Sequence, residues 1–412
     1  MQVLHERCAG LDVHKKTVVA CVRVVEAGRA KSEVRTFDTT TSALMALAEW
    51  LAECGCTHAA MEATGVYWKP IWHVLSDGDL ELLLANAAHV KNVPGRKTDV
   101  ADATWLAELL AHGLIRASFV PPPEVAELRA LMRTRKQLTR EKASHVQRVH
   151  KTLEDANVKL DSVISNVVGK SGRAMLEAMI AGETEPKRLA ALARPGIRAS
   201  AATLGEALRG RVQRRHRFLL RLHLDQIDQI DRAIASIDGE VEANLAPFRT
   251  AVEQLCSIHG VSRIGAEVIV SEIGIDMSRF QTAGHLLSWA GMVPRNDQSA
   301  GKRRSTRLRY GAPWLKTLLV QCAWAAVRKK ESPLKDRFLH LKHRGTKKAI
   351  CATAADILTA AYHMLKNGTF YEPSRPVSAD RTSKEVQAKA LVKRLARLGY
   401  ATKLELVPAP AP

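Results

Sequence analysis

Aromatic residues make up only 5% of this 412-residue chain, too few for a surface that grips a strand by stacking many successive bases. Acidic residues are also in deficit: 42 Asp and Glu face 62 Lys and Arg, a formal net charge of +20. That balance points to a polyanionic partner, with nucleic acid first and a merely cationic enzyme as the alternative. No stretch approaches the about 20 apolar residues of a membrane span, so no membrane partner is expected. Glu6 and Arg7 precede any apolar run, so no secretory signal is expected and the chain is read as cytoplasmic. Seven cysteines, an odd number scattered from Cys8 to Cys351, suit buried free thiols in a reducing compartment, not a disulfide framework. Cys54-Gly55-Cys56 with His58 has one-residue spacing and no second pair, which favours a structural role over a zinc site. What remains is ordinary: 46% hydrophobic and 25% charged residues describe a folded protein, long enough for two or more cores.

Hydrophobic patterning gives the organisation. Cys8 to Val25 reads as two apolar strands turned at His14-Lys15-Lys16, and Val34 to Phe37 adds a third, an antiparallel start. Leu44, Leu47, Ala48 and Leu51 recur at helical spacing within 42–54, and Ala59 to Met61 and Leu80 to Leu84 are short buried strands. The resulting order predicts a mixed sheet covered by helices, an α/β layer architecture of the class that includes ribonuclease-H-like folds. Pro121-Pro122-Pro123 stops this module and opens a helix of some thirty residues carrying Leu128, Leu131, Leu138, Val149 and Leu153. Glycine and proline break 169–210 into short helices. A second long helix then carries Leu220, His223, Ile227, Ile230, Ile234, Ile237, Val241 and Asn244, spaced three and four apart. This is a heptad seam that can pair within the chain or between chains, with His223 and Asn244 expected to fix register. Val168-Gly169-Lys170-Ser171 imitates the end of a phosphate-binding loop, but Ile164 stands where the first glycine belongs, so nucleotide binding is rejected.

Four carboxylates stand out by position. Asp12 lies inside an apolar strand, Glu62 at the end of another, and Asp99 and Asp102 open a helix three residues apart, on one face. Each alone is more often a cap or a surface acid. Together they need a reason in a cationic protein, because an Asp in an apolar strand is costly unless paired or metal-bound. Two magnesium ions about 4 Å apart, activating the attacking oxygen and stabilising the leaving oxygen of a phosphodiester, would supply one.

The contexts Gly10-Leu11-Asp12-Val13-His14-Lys15, Met61-Glu62-Ala63-Thr64-Gly65-Val66-Tyr67 and Lys97-Thr98-Asp99-Val100-Ala101-Asp102-Ala103 resemble the DEDD transposases of the insertion sequence 110 family. Ser257-Ile258-His259-Gly260-Val261 and Leu287-Ser288-Trp289-Ala290-Gly291-Met292-Val293-Pro294-Arg295 extend the resemblance to about residue 370. It implies a RuvC-like domain with Asp12, Glu62, Asp99 and Asp102 as catalytic, magnesium-binding acids. It also implies a C-terminal domain whose nucleophilic serine follows the Ala-Gly-x-x-Pro-Arg motif, a place held here by Ser299-Ala300-Gly301. Local sequence alone would make Ser299 a turn residue, with Ser305 its nearest competitor; the family position assigns the nucleophile to Ser299. A serine can store the phosphodiester bond as a phosphoserine ester, which suits strand exchange. A structured bridge RNA, target and donor double-stranded DNA, and a homodimer or tetramer are the implied partners. The family hairpin commonly written Pro-Gly-Ile-Gly is His259-Gly260-Val261-Ser262 here. Its second glycine is missing, and a DNA contact by that hairpin is therefore questioned.

The expected organisation is a RuvC-like α/β domain over 1–118, a helical coiled-coil region over 119–250, a mainly helical transposase domain over 251–370, and a tail over 371–412. Three basic clusters are candidates for phosphate contact: Arg129, Arg133, Arg135, Lys136 and Arg140; Arg209, Arg211, Arg214, Arg215 and Arg217; and Lys302, Arg303, Arg304, Arg307 and Arg309. Lys15, Lys97 and Arg295, inside the family motifs, join them. Two rival readings stay open: a metal-dependent junction nuclease in which Ser299 is inert, and a nucleic-acid-binding regulator whose acids are structural.

Overall fold

The computed structural model describes residues 3–63, 65–85, 99–294, 297–299, 301–305, 307–373 and 384–401. At 297–299, 303–304, 384–387, 389–390 and 394 it describes the backbone alone. The chain divides into two compact units, Met1–Val120 and Pro121–Pro412.

The first unit is built on a five-stranded sheet of β1 (Arg7–Val13), β2 (Thr17–Glu26), β3 (Arg29–Asp38), β4 (His58–Glu62) and β5 (Glu81–Ala85), ordered β3-β2-β1-β4-β5. The first three strands are antiparallel neighbours, while β4 runs parallel to β1 and β5 parallel to β4. The third strand is longer than its apolar pattern implied, because backbone pairing with β2 continues through the polar stretch 29–33. Its charged, exposed side chains discourage further pairing at the sheet edge. The central strand β1 is buried on both faces after Arg7, so it reads as a continuous apolar run. Ala9, Leu11 and Val13 point to α1 (Thr41–Glu53) and α2 (Trp68–Leu75), joining Leu44, Leu47, Leu51, Ile71 and Leu75 in one core. Cys8 and its alternates Gly10 and Asp12 point to the opposite face, where α3 (Asp99–Ala111) packs through Ala103, Ala107, Leu110 and Ala111.

The second unit is helical apart from one small hairpin among the described residues. Pro122 and Pro123 start α4 (Pro123–Asp155), where the missing N–H is harmless and the fixed φ suits a first turn. Four shorter helices follow: α5 (Leu160–Val163), α6 (Lys170–Ala181), α7 (Pro186–Ala191) and α8 (Ala201–Ala207). Gly169 precedes α6, and Ser171 Oγ accepts the Arg194 N–H at 3.0 Å, a structural use of the false phosphate motif. The second long helix, α9 (Arg214–Asn244), lies along α4. Arg135 meets Asp238 and Lys142 meets Asp231, both at 2.5 Å. A seven-residue step forward on one helix is a seven-residue step back on the other, so the pair is antiparallel.

The heptad seam is thus occupied within the chain. Leu220, Leu224 and Ile227 share a core with Val149 and Leu153. His223 faces His145 across the seam, Nδ1 to Nδ1 at 3.3 Å. Asn244 does not fix register as expected: its Nδ2 donates to Glu240 O on its own helix. Ile234 and Ile237 are only half-buried, whereas Leu224, absent from the predicted seam, is fully buried. An antiparallel pair takes its apolar contacts over a broader face than a strict three-four alternation.

Beyond it, α10 (Arg249–Cys256), α11 (Arg263–Ile273), α12 (Ala283–Trp289), the hairpin of β6 (Asp297–Ser299) and β7 (Lys302–Ser305), α13 (Pro313–Ala326), α14 (Pro333–Leu341) and α15 (Thr346–Asn367) complete the unit, and α16 (Lys384–Arg397) follows in the tail.

Candidate metal centre and nucleic-acid surface

Asp12 is the next-to-last residue of β1 and 8% exposed. Glu62 ends the neighbouring parallel strand β4, one step beyond the Leu11–Met61 pair. It shares the parity of Ala60, which packs on the α3 side with Cys8, so both acids belong to the sheet face that α3 covers. Asp99 and Asp102 stand in the first turn of α3. Gly10 brings helix and strand together: a Cβ there would fall 2.2 Å from Ala103 O and 2.4 Å from Ala107 N. With no side chain in between, the helix backbone lies directly on β1 and its first turn arrives beside Asp12.

The motif also supplies a residue to which no role was assigned. His14 Nε2 is 3.1 Å from Asp12 Oδ2 and 3.5 Å from Asp99 Oδ2. One donor atom from each of Asp12, His14 and Asp99 lies within 4.8 Å of the others. Its signal in the sequence was position alone, two residues after Asp12 at the strand end. Burial pushes the Asp12 carboxyl up from its ordinary value, and Asp102 and Asp99 push the same way, while His14 opposes them. A buried carboxylate crowded by two others is a site that a cation relieves. Carboxylate oxygens suit hard divalent ions, and an imidazole nitrogen extends the range to manganese or zinc. The residues present therefore fit a divalent cation. In the first turn of α3, Asp99 and Asp102 are additionally favoured by the positive end of the helix dipole. Lys15 is exposed beside this group; Lys97 lies outside the described residues.

Ser299 closes β6 and pairs with Lys302 of β7, and Gly301, just before Lys302, has φ +77°. That left-handed value favours glycine. The rival Ser305 accepts the Arg307 N–H on its Oγ at 3.2 Å. Lys302, Arg307 and Arg309 are exposed, Arg303 and Arg304 are described by backbone only, and Arg295 lies outside the described residues. In the altered hairpin, Ser262 caps α11 by accepting the Gly265 N–H at 3.2 Å. Gly260, at φ +88°, is required because a Cβ would meet Cys322 O at 2.4 Å. The turn's first glycine and its serine thus have local structural duties.

The structure separates the other two basic clusters. In the first, Arg129 donates to Ser271 O and Glu272 O at 3.0 and 2.6 Å, satisfying the last carbonyls of α11. Arg133 binds both oxygens of Glu272 at 2.7 and 2.8 Å, and Glu272 is 1% exposed. Arg135 is held by Asp238. These three arginines already have protein partners in the free chain. Alternating charge along α4 could not show that an acid 139 residues away was waiting for Arg133. Lys136 is half-buried, and Arg140 is exposed, over the Trp314 ring at 4.9 Å. In the second cluster Arg209, Arg211, Arg214 and Arg215 are exposed, although Arg209 and Arg215 have acidic partners in Glu206 and Asp155. Arg217 is half-buried beside Gly182.

Comparison with known proteins matches residues 9–158 to a DEDD transposase family and residues 252–339 to the Transposase IS116/IS110/IS902 family. A Pseudomonas aeruginosa protein named "Probable family 20 transposase" is 25% identical over 325 residues, 76% of this chain and 85% of that protein. A Sinorhizobium fredii protein carrying the transposase name y4rJ is 26% identical over 306 residues, 67% of this chain and 68% of that protein.

Proposed function

This chain belongs to the insertion sequence 110 family of DEDD transposases, and from that premise we propose that it cleaves and rejoins DNA with Asp12, Glu62, Asp99 and Asp102 as magnesium ligands and Ser299 as nucleophile. The observation that carries this reading is the convergence of a buried strand acid, a neighbouring strand-end acid and two acids of one helical turn on a single face of the sheet. No structural account of the sheet requires four such carboxylates on one face. Divalent magnesium, when bound, would neutralise them and supply electrophilic assistance to a phosphodiester. Asp12 on the sheet and Asp99 on the helix would hold it, and His14 Nε2, within reach of both carboxylates, would steady or join them.

On the serine side, the Ser299 hydroxyl attacks phosphorus and displaces a deoxyribose oxygen, giving a phosphoserine ester and a free DNA end. A hydroxyl of the second strand then attacks that ester, restoring the serine and sealing a new phosphodiester. Lys302, paired with Ser299 in the hairpin register, and the exposed Arg307 would offset charge on the scissile phosphate. A bridge RNA would supply sequence recognition by pairing, leaving the protein to read backbone and shape. The RuvC-like fold, the domain limits at 118, 250 and 370, assembly of dimers or tetramers and a cytoplasmic location complete the proposal. Among the described residues no helix is long and apolar enough to cross a membrane. Because the seam of α9 is filled by α4, such an assembly would use other surfaces.

A denaturing gel tests the mechanism after co-expression with the native element and its flanking noncoding DNA. We expect a covalent protein–DNA band from the wild-type chain, absent in Ser299→Ala and in Asp102→Asn. Strand breaks without a band would assign cleavage to the metal centre alone; unchanged recombination in Asp102→Asn would remove the acids from catalysis.

A further inference from the structure

Tyr310 is 93% exposed, the most exposed large hydrophobic side chain among the described residues. It does not sit on a loose loop. The preceding Leu308 bridges Pro294, Arg309 N donates to Val293 O at 3.2 Å, and Lys316 Nζ donates to Arg309 O at 2.8 Å. Next to Tyr310 in the chain, two glycine backbones touch: a Cβ on Gly311 would fall 2.4 Å from Gly291 N, and one on Gly291 would fall 2.7 Å from Arg309 O. The Gly291 φ of +70° adds a conformation that other residues resist. Five local constraints therefore hold a backbone whose one large side chain is left facing solvent.

The surroundings say what such a ring is for. Arg309 and Arg307 precede it, and Lys302 stands on β7, all exposed. Arg309 Nη1 donates to Ser288 Oγ at 3.3 Å, which steadies the cation next to the ring. A rigid aromatic face flanked by cations matches a nucleotide, whose base offers a π face and whose phosphate offers charge. A base within a duplex has both faces covered by its neighbours, so the partner must be unpaired. We infer that Tyr310 is a stacking platform for an unpaired nucleobase, with Lys302, Arg307 and Arg309 holding the adjoining phosphates. This rests on the proposed function and deepens it: the chain grips an opened strand beside the Ser299 hairpin as well as intact duplex. The same chemistry is offered by a displaced DNA strand and by a single-stranded RNA segment.

The test compares full-length wild type with Tyr310→Ala, Tyr310→Leu and Tyr310→Phe. Three fluorescein-labelled probes are titrated by anisotropy: a short DNA strand of mixed sequence, the RNA strand of the same sequence, and the DNA duplex. We expect Tyr310→Ala and Tyr310→Leu to weaken single-strand binding about tenfold, the scale of one lost stacking contact, while Tyr310→Phe and all duplex affinities stay at wild-type values. A 2-aminopurine placed in the single strand should be quenched by wild type and Tyr310→Phe only. Loss confined to the DNA or the RNA strand identifies the source of the base. Unchanged single-strand affinity in Tyr310→Ala, or full binding by Tyr310→Leu, overturns the stacking role. If duplex binding persists meanwhile, the proposed function is untouched; if wild type binds none of the probes, both fall. Thermal melts equal to wild type establish that the exposed substitution left the fold intact.

Discussion

At Gly10 and Asp12, two residues apart on one strand, the site depends on one missing side chain and one costly one. Gly10→Ala would drive a methyl into the α3 backbone, and moving a packed helix costs roughly 1–3 kcal/mol or more; urea melts should show the loss. Asp12→Asn should act in the opposite direction in the presence of chelator, since it removes a buried charge facing Asp99 and Asp102. The sign follows from a carboxyl pushed up in the folded state: its penalty is absent below the ordinary value of 3.8 and grows as pH rises through the folded value. At neutral pH the metal-free Asn variant should therefore melt above wild type, with the gap closing on acidification. Magnesium at 100 times its Kd should then stabilise wild type by about 2.7 kcal/mol and the variant far less. A wild-type melting temperature indifferent to divalent ions would refute the metal centre.

The α4–α9 pair and the α4–α11 contact show what charged residues do on long helices. Arg133→Ala would remove both hydrogen bonds to the buried Glu272 carboxylate and leave it only the longer 3.9 Å pairing with Arg129, a loss below the about 3–5 kcal/mol of a fully broken buried pair. The expected result is a drop in melting temperature with nucleic-acid affinity in the folded protein unchanged, because this guanidinium is already engaged. In the seam, burial holds His223 below its ordinary value of 6.5, and the neighbouring His145 and Arg148 add to the effect. A histidine depressed on folding leaves stability intact above 6.5 and withdraws it as pH falls through the folded value. His223→Leu should flatten that dependence below the ordinary value of 6.5, read as melting temperature against pH. An unchanged slope would show that acid sensitivity arises elsewhere.

Over the whole molecule, a charge of +20 predicts steeply salt-dependent binding, but not every cation contributes. Each exposed Lys or Arg that contacts a phosphate should lower the slope of log affinity against log salt by about 1 when replaced. Lys302→Ala and Arg307→Ala should do so, and Arg135→Ala should not, since Asp238 holds Arg135 in the free protein. Equal effects from all three would mean that the internal pairs open on binding.

Much of this was legible in one dimension. Strand alternation, proline stops and glycine breaks are short-range effects of backbone sterics and burial, so β1 to β5, α1, α4 and α9 could be located from residues alone. The four acids were visible because a carboxylate amid apolar neighbours is costly wherever the strand lies. The tertiary structure decided what depends on residues distant in the chain. Glu272 claims Arg133, α4 rather than a second copy fills the seam of α9, and His14 turns back onto Asp12 and Asp99. Charge and periodicity state what a side chain needs; only the packed chain determines which partner reaches it first.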